Sequence, residues 1–185
     1  AVGAYCMNAV ATANHNTAVG KSAMHDLTTG SENTAVGLNA LFAVTTGYNN
    51  VAIGYRALDA ATTVHSCIAI GYDTLGAANT SNSQVAIGRA AMGANTSGSG
   101  VALGAYALDA QTTGSSNTAI GYQSLSSLTD ADYNTACGHE AGESLTTGDE
   151  NTYLGFQAGQ AATTGSRNVC VGEGSGKTMT TGSNN

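Results

Sequence analysis

Val51-Ala52-Ile53-Gly54-Tyr55-Arg56-Ala57-Leu58, followed after three residues by Thr62-Thr63, decides the fold, because close variants of it return along the whole chain. The glycines mark the period. Gly3, Gly20, Gly37, Gly54, Gly71, Gly88, Gly104, Gly121, Gly138, Gly155 and Gly172 stand 17 residues apart, with one 16-residue step from Gly88 to Gly104. A fixed period of this kind specifies a repeat array and outranks any local pattern. Eleven units, beginning at residues 1, 17, 34, 51, 68, 85, 101, 118, 135, 152 and 169, occupy residues 1–185 as a single array. The array is expected to continue in a longer parent chain.

With the recurrent glycine at position 4, the unit reads Thr/Val-Ala-Ile/Val-Gly-Tyr-x-Ala-Leu-x-x-x-Thr-Thr-Gly-x-x-Asn. Position 3 is apolar and mostly β-branched, as in Ile53, Ile70 and Ile87, and Thr or Val stands two residues before it. This alternation predicts a short strand with positions 1 and 3 on its buried face. The other face, Ala at position 2 beside Gly at position 4, is then bare. The glycines at 20, 37, 54, 71, 88, 104 and 121 are read either as turns needing positive φ or as points where a neighbouring chain comes close.

Positions 7, 8 and 11 carry apolar groups, for example Ala57, Leu58 and Ala61, which is the spacing of one helical face. Gly at position 14 suits a helix C-terminus, whereas the preceding Thr-Thr favours a turn. The segment is therefore expected to be a short helix or a tight turn. A helix is about 10 Å across and strands stack about 4.8 Å apart. A straight fibre then needs either a tight turn in every unit or strands from other chains filling the gaps, and the intertwined arrangement is the favoured one. Asn at position 17, including Asn33, Asn50, Asn117 and Asn134, precedes each strand and is expected to bond a turn backbone or to form an amide ladder.

Composition narrows the function. Charged residues make up 9%, aromatics 5%, and there are 25 glycines but no Trp or Pro. With one or two large aliphatic residues per unit, a single chain has a thin core, so association with other chains is expected. The net charge of −7 provides no basic stripe for a phosphate backbone, so nucleic acid is not expected as a partner. No apolar run reaches the ~20 residues of a membrane-spanning helix. Cys6, Cys67, Cys137 and Cys170 fall at different unit positions and are read as small buried side chains rather than a disulfide framework.

Several stretches resemble chemistry without sustaining it. Gly172-Glu173-Gly174-Ser175-Gly176-Lys177-Thr178 is close to a phosphate loop, but Val171 stands where the first glycine is required. His15, His25, His65 and His139 form no column and have no metal-ligand spacing. Asp59 and Asp109 share a position but lie three units apart, too far to act as acid and base. Asn79-Thr80-Ser81 and Asn95-Thr96-Ser97 match the N-glycosylation pattern, which arises often by chance in such a sequence. No catalytic residue, cofactor or metal site is expected. The position-5 aromatics Tyr55, Tyr72, Tyr122 and Phe156 either cover the seam between units or stack on sugars, and the Thr-Thr column raises ice binding as a rival reading.

In Asn33-Thr34-Ala35-Val36-Gly37, Asn117-Thr118-Ala119-Ile120-Gly121-Tyr122-Gln123-Ser124-Leu125 and Thr113-Gly114-Ser115-Ser116-Asn117, the array resembles repeat shaft regions of trimeric bacteriophage tail fibres. Through its Val-Ala-Ile-Gly strands it is similar, more loosely, to the YadA-like heads of trimeric autotransporter adhesins. The resemblance implies a parallel homotrimer on an extracellular or virion surface, a structural fibre without enzymatic activity. The sequence thus leads to a mainly β repeat fibre or solenoid whose partner is itself. Two alternatives stand beside it, an adhesive module for surface glycans and an ice-binding solenoid.

Overall fold

A computed structural model describes residues 1–77 and 80–185 and shows a parallel β-solenoid. The strands are β1 (Thr17–Val19), β2 (Thr34–Val36), β3 (Val51–Ile53), β4 (Ile68–Ile70), β5 (Val85–Ile87), β6 (Gly100–Leu103), β7 (Asn117–Ile120), β8 (Thr135–Cys137), β9 (Thr152–Leu154) and β10 (Val169–Val171). They form one sheet in chain order, and each pairs in parallel with the next. Partners lie one repeat apart, so that Ala18 stands opposite Ala35 and Ala35 opposite Ala52.

No helix occurs among the described residues. The i, i+3, i+4 pattern of positions 7, 8 and 11 instead marks side chains that a folded-back turn directs into the solenoid. In each complete unit a residue at position 6 and another at position 8 have positive φ, such as Arg56 at 52° and Leu58 at 55°. Alternating φ points successive N–H groups to opposite neighbours. The Arg56 N–H donates to Leu38 O of the preceding unit at 3.0 Å, and that of Leu58 to Thr74 O of the following unit at 2.9 Å. Backbone groups that a helix would satisfy internally are thus satisfied between units. Left-handed conformation costs non-glycine residues roughly 1–2 kcal/mol each, a cost offset by these bonds. Without helices the chain stacks at strand spacing, and consecutive units of one chain pair directly. The gap that strands from other chains were expected to fill does not exist.

The faces of the strands are also the reverse of the expectation. Ala at position 2 is buried inside the solenoid, at 0% exposure in Ala35, Ala52 and Ala69, whereas Val19, Ile53 and Ile87 at position 3 are 37–40% exposed. The interior is narrow. It is filled by Leu or Met at position 8 (Met24, Leu41, Leu58, Leu75, Met92, Leu108, Leu125) and by apolar residues at position 11 such as Leu27, Val44 and Leu128, and only a methyl group fits beneath them.

The exceptions establish the rule. Tyr153 and Cys170 replace Ala at position 2 and are buried, and around them the position-8 residue is Gly142, Gly159 or Gly176. A Cβ on Gly159 would lie 2.5 Å from Tyr153 Cδ1, and one on Gly142 would lie 2.8 Å from Tyr153 Cδ2. The interior volume is conserved by exchanging large and small residues across the solenoid.

Candidate functional site

The repeat columns place most polar side chains in contacts between units. At position 17, Asn33 donates from its backbone N–H (2.9 Å) and its Nδ2 (3.1 Å) to Asn16 Oδ1, and also from Nδ2 to Gly47 O at 2.8 Å. Asn50 bonds Asn33 in the same way. A second run joins Asn117, Asn134, Asn151, Asn168 and Asn185. Position-14 glycines present their carbonyls to these amides and end no helix.

The position-4 glycines have φ near +134°, as in Gly20, Gly37, Gly54 and Gly121. A side chain there would meet the carbonyl of the next glycine in the column, and this holds for Gly71, Gly88 and Gly104 as well. The positive-φ reading of this column therefore applies, whereas the close neighbour is the next unit of the same chain rather than another chain. At position 12 the threonine hydroxyls donate to the carbonyl one unit on, Thr28 to Thr45 at 3.1 Å and Thr146 to Thr163 at 3.0 Å. These hydroxyls are occupied by the backbone and do not form a free array.

The amide ladder breaks in the middle. Cys67, Gln84 and Gly100 stand at the end of units four, five and six, and Gly100 pairs with Asn117 across the 16-residue unit. Position 11 becomes polar in compensation. Gln84 Nε2 bonds Asn95 Oδ1 at 3.4 Å, Gln111 Nε2 donates to Gly114 O at 2.7 Å, and Asn117 Nδ2 reaches Gln111 Oε1 at 3.3 Å. Asn95 Nδ2 is left buried without a partner. Asn95 is fully enclosed, which removes it as a glycosylation acceptor in the folded chain; Asn79, of the other such pattern, lies outside the described residues.

The surface carries a ladder of rings. Tyr55 and Tyr72 stack with centroids 5.1 Å apart, Arg89 lies between Tyr72 and Tyr106 at 5.7 and 5.4 Å, Tyr122 stacks on His139 at 5.1 Å, and His139 lies 5.4 Å from Phe156. Tyr106, at position 6, fills in where position 5 is Ala105 and meets Tyr122 edge-on. Most ring faces are covered by neighbouring units, so the ladder offers edges to solvent rather than flat platforms for a sugar.

Other polar groups pair locally. Arg56 Nε binds Asp59 at 2.6 Å with Asp73 at 3.7 Å, and these carboxylates hold its guanidinium above its ordinary pKa. Arg56, Asp73 and Asp109 line a groove of about 390 Å³ formed where Gly76 and Gly93 lack side chains; burial raises the pKa of Asp109. Glu140 and Glu143 accept bonds from Gln157 and Gln160 at 2.7–3.0 Å. The phosphate-loop-like stretch is bound into the ladder, with the Gly174 N–H on Phe156 O at 2.9 Å and Lys177 on Gln157 Oε1 at 2.5 Å.

The four cysteines are free; Cys67 and Cys170 are buried, whereas, contrary to expectation, Cys6 is only half-buried and Cys137 is exposed on the outer strand face. His25 stacks on Phe42 and His65 on Tyr48. Among the described residues no group of three His, Cys, Asp or Glu side chains is placed to hold a metal ion, and no helix is long and apolar enough to cross a membrane. The chain matches no protein-family model, no curated protein and no solved structure at a significant level.

Proposed function

We propose that this chain is a mechanical element, a stiff segment of an extracellular or virion fibre in which three parallel copies run side by side and no catalysis takes place. The observation that supports this reading is the direction of the bonding: backbone amides, Asn amides, Thr hydroxyls and rings all join one unit to the next. Such an array gains stability by nearest-neighbour stacking and grows in one dimension. It holds its two ends at a fixed separation, with about 4.8 Å added per strand. The covered ring faces favour this over a glycan-binding surface, and the position-12 hydroxyls, taken up by the backbone, leave only the exposed position-13 threonines of the Thr-Thr column to face ice.

Mass per unit length by electron microscopy tests the proposal. A unit weighs about 1.7 kDa, from 18.3 kDa over eleven units, so one chain at ~4.8 Å per unit gives roughly 0.35 kDa per Å and three give roughly 1.0. The lower value would refute the trimer. Thermal hysteresis at micromolar protein or reproducible glycan-array binding would overturn the purely mechanical role.

A further inference from the structure

We infer that the outer face of the ten-stranded sheet, positions 1 and 3 of each unit with the ring column at position 5 as its border, is the surface on which a second copy of this chain packs. This rests on the fibre reading and goes further by naming the contact. Position 3 presents Val19, Val36, Ile53, Ile87 and Ile120 at 37–40% exposure. Position 1 adds Val51, Ile68, Val85 and Val101 at the centre of the strip, flanked by Thr17 and Thr34 on one side and by Thr118, Thr135 and Thr152 on the other, with Val169 last. None of the five Lys and Arg or twelve Asp and Glu residues falls at positions 1–4. Lys21, Arg89 and Glu173 stand on the position-5 border and the other charges lie away from the strip, and an apolar strip free of charge at its centre, with aromatic residues along much of its margin, has the composition of an interface core.

Size and period identify the occupant. Ten strands at ~4.8 Å give a strip about 48 Å long, and five residues at ~3.3 Å make it about 16 Å wide. The footprint, roughly 800 Å², is comparable with what each partner contributes to a standard stable interface. The side chains on the strip recur once per strand. A parallel copy of the same array presents the same spacing along its whole length, so its side chains interdigitate at every rung; a partner without that period fits at only a few. The aliphatic centre of position 1 also suits a protein face better than an ordered layer of water, which would need the hydroxyls found only towards the ends.

Sedimentation velocity or native mass spectrometry of the full chain, from about 1 to 100 µM, tests the assignment. The comparison is between the wild type, Ile53→Lys with Ile87→Lys on the strip, and Thr113→Lys with Thr147→Lys on the exposed position-13 column. The strip variant is expected to associate roughly 100-fold more weakly or worse, since each copy would bury two unpaired charges. The control is expected to associate like the wild type. Ile53→Thr with Ile87→Thr, a β-branched pair already used on this face, is expected to weaken association by roughly 10-fold with unchanged circular dichroism. Cys137, exposed on the strip, is a native reporter whose alkylation should be slow in the assembled wild type and fast in the dissociated variants. If the wild type assembles and both strip variants assemble equally well, the face is wrong while the multi-chain fibre stands. If the wild type stays monomeric throughout with Cys137 freely alkylated, both fail.

Discussion

Tyr153 and Gly159 form the sharpest test of how the interior is built. Eight units place a small residue at position 2 opposite Leu or Met at position 8, and this unit reverses the sizes. Tyr153→Ala alone should cost about 3–5 kcal/mol for emptying an aromatic site. About 1–3 kcal/mol returns because the buried hydroxyl, which no hydrogen bond of ordinary length reaches, is removed. Gly159→Leu alone drives a side chain into the ring, 2.5 Å from Tyr153 Cδ1, for about 1–3 kcal/mol of overpacking, plus about 1–2 kcal/mol for a side chain at φ 61°. The double variant recreates the Ala/Leu pairing of Ala52 and Leu58 on the Gly159 side, and retains the φ cost and the space left beside Gly142. The coupling in a double-mutant cycle should therefore be favourable by roughly 3 kcal/mol. Urea unfolding followed by far-UV circular dichroism measures it, provided m is the same in all four proteins. Additive single effects, within about 0.5 kcal/mol, would show that the two positions do not share one volume and would refute this account of the interior.

The amide ladder predicts that Asn134→Ala, which strands the N–H of Asn151 now bonded to Asn134 Oδ1 at 3.0 Å, costs about 2–4 kcal/mol, while Thr164→Ala, at an exposed position of negative φ, changes unfolding by less than about 0.5 kcal/mol. Burial pushes the Tyr153 phenol up to about 12, with the Asn168 side chain working against the shift. Because the folded pKa is raised, this contribution is fully present below pH 10 and is lost as pH rises towards 12, by roughly 2–3 kcal/mol. Tyr153→Phe should abolish that difference between pH 9 and 12 in parallel unfolding titrations; an unchanged alkaline slope would count against it. At the 16-residue unit, where Gly100 interrupts the Asn ladder and Asn95 Nδ2 has no partner, hydrogen exchange by mass spectrometry should show lower protection over 84–100 than over 34–53 or 135–154. Uniform protection would mean that the Gln84, Asn95 and Gln111 bonds replace the ladder fully.

The glycine period made the array and its strands legible, and the Asn column announced its ladder. The turn after each strand was not legible as such, because its conformation follows from bonding between units. Leu58 and Arg56 carry no local signal for positive φ. Their φ follows from the need to direct one N–H to the unit before and another to the unit after, and a helical reading of Ala57, Leu58 and Ala61 is what the same spacing gives when those neighbours are ignored.

The reversed strand faces have a different cause, and here the signal was present. Ile53 beside Ala52 reads as buried beside bare if apolar bulk alone decides what goes inside. In a narrow solenoid the space left by the opposite wall decides, and that wall is position 8. The replacement of Leu by Gly142 and Gly159 around Tyr153, and by Gly176 opposite Cys170, is a volume exchange that has physical meaning only if position 2 points inward. Once position 2 is inside, the period of two in a strand places Ile53, Ile70 and Ile87 outside. The thin core inferred from composition and the uncovered aliphatic strip then have a single origin: the residues that would thicken the core of one chain lie on its outer face, where only another molecule can bury them.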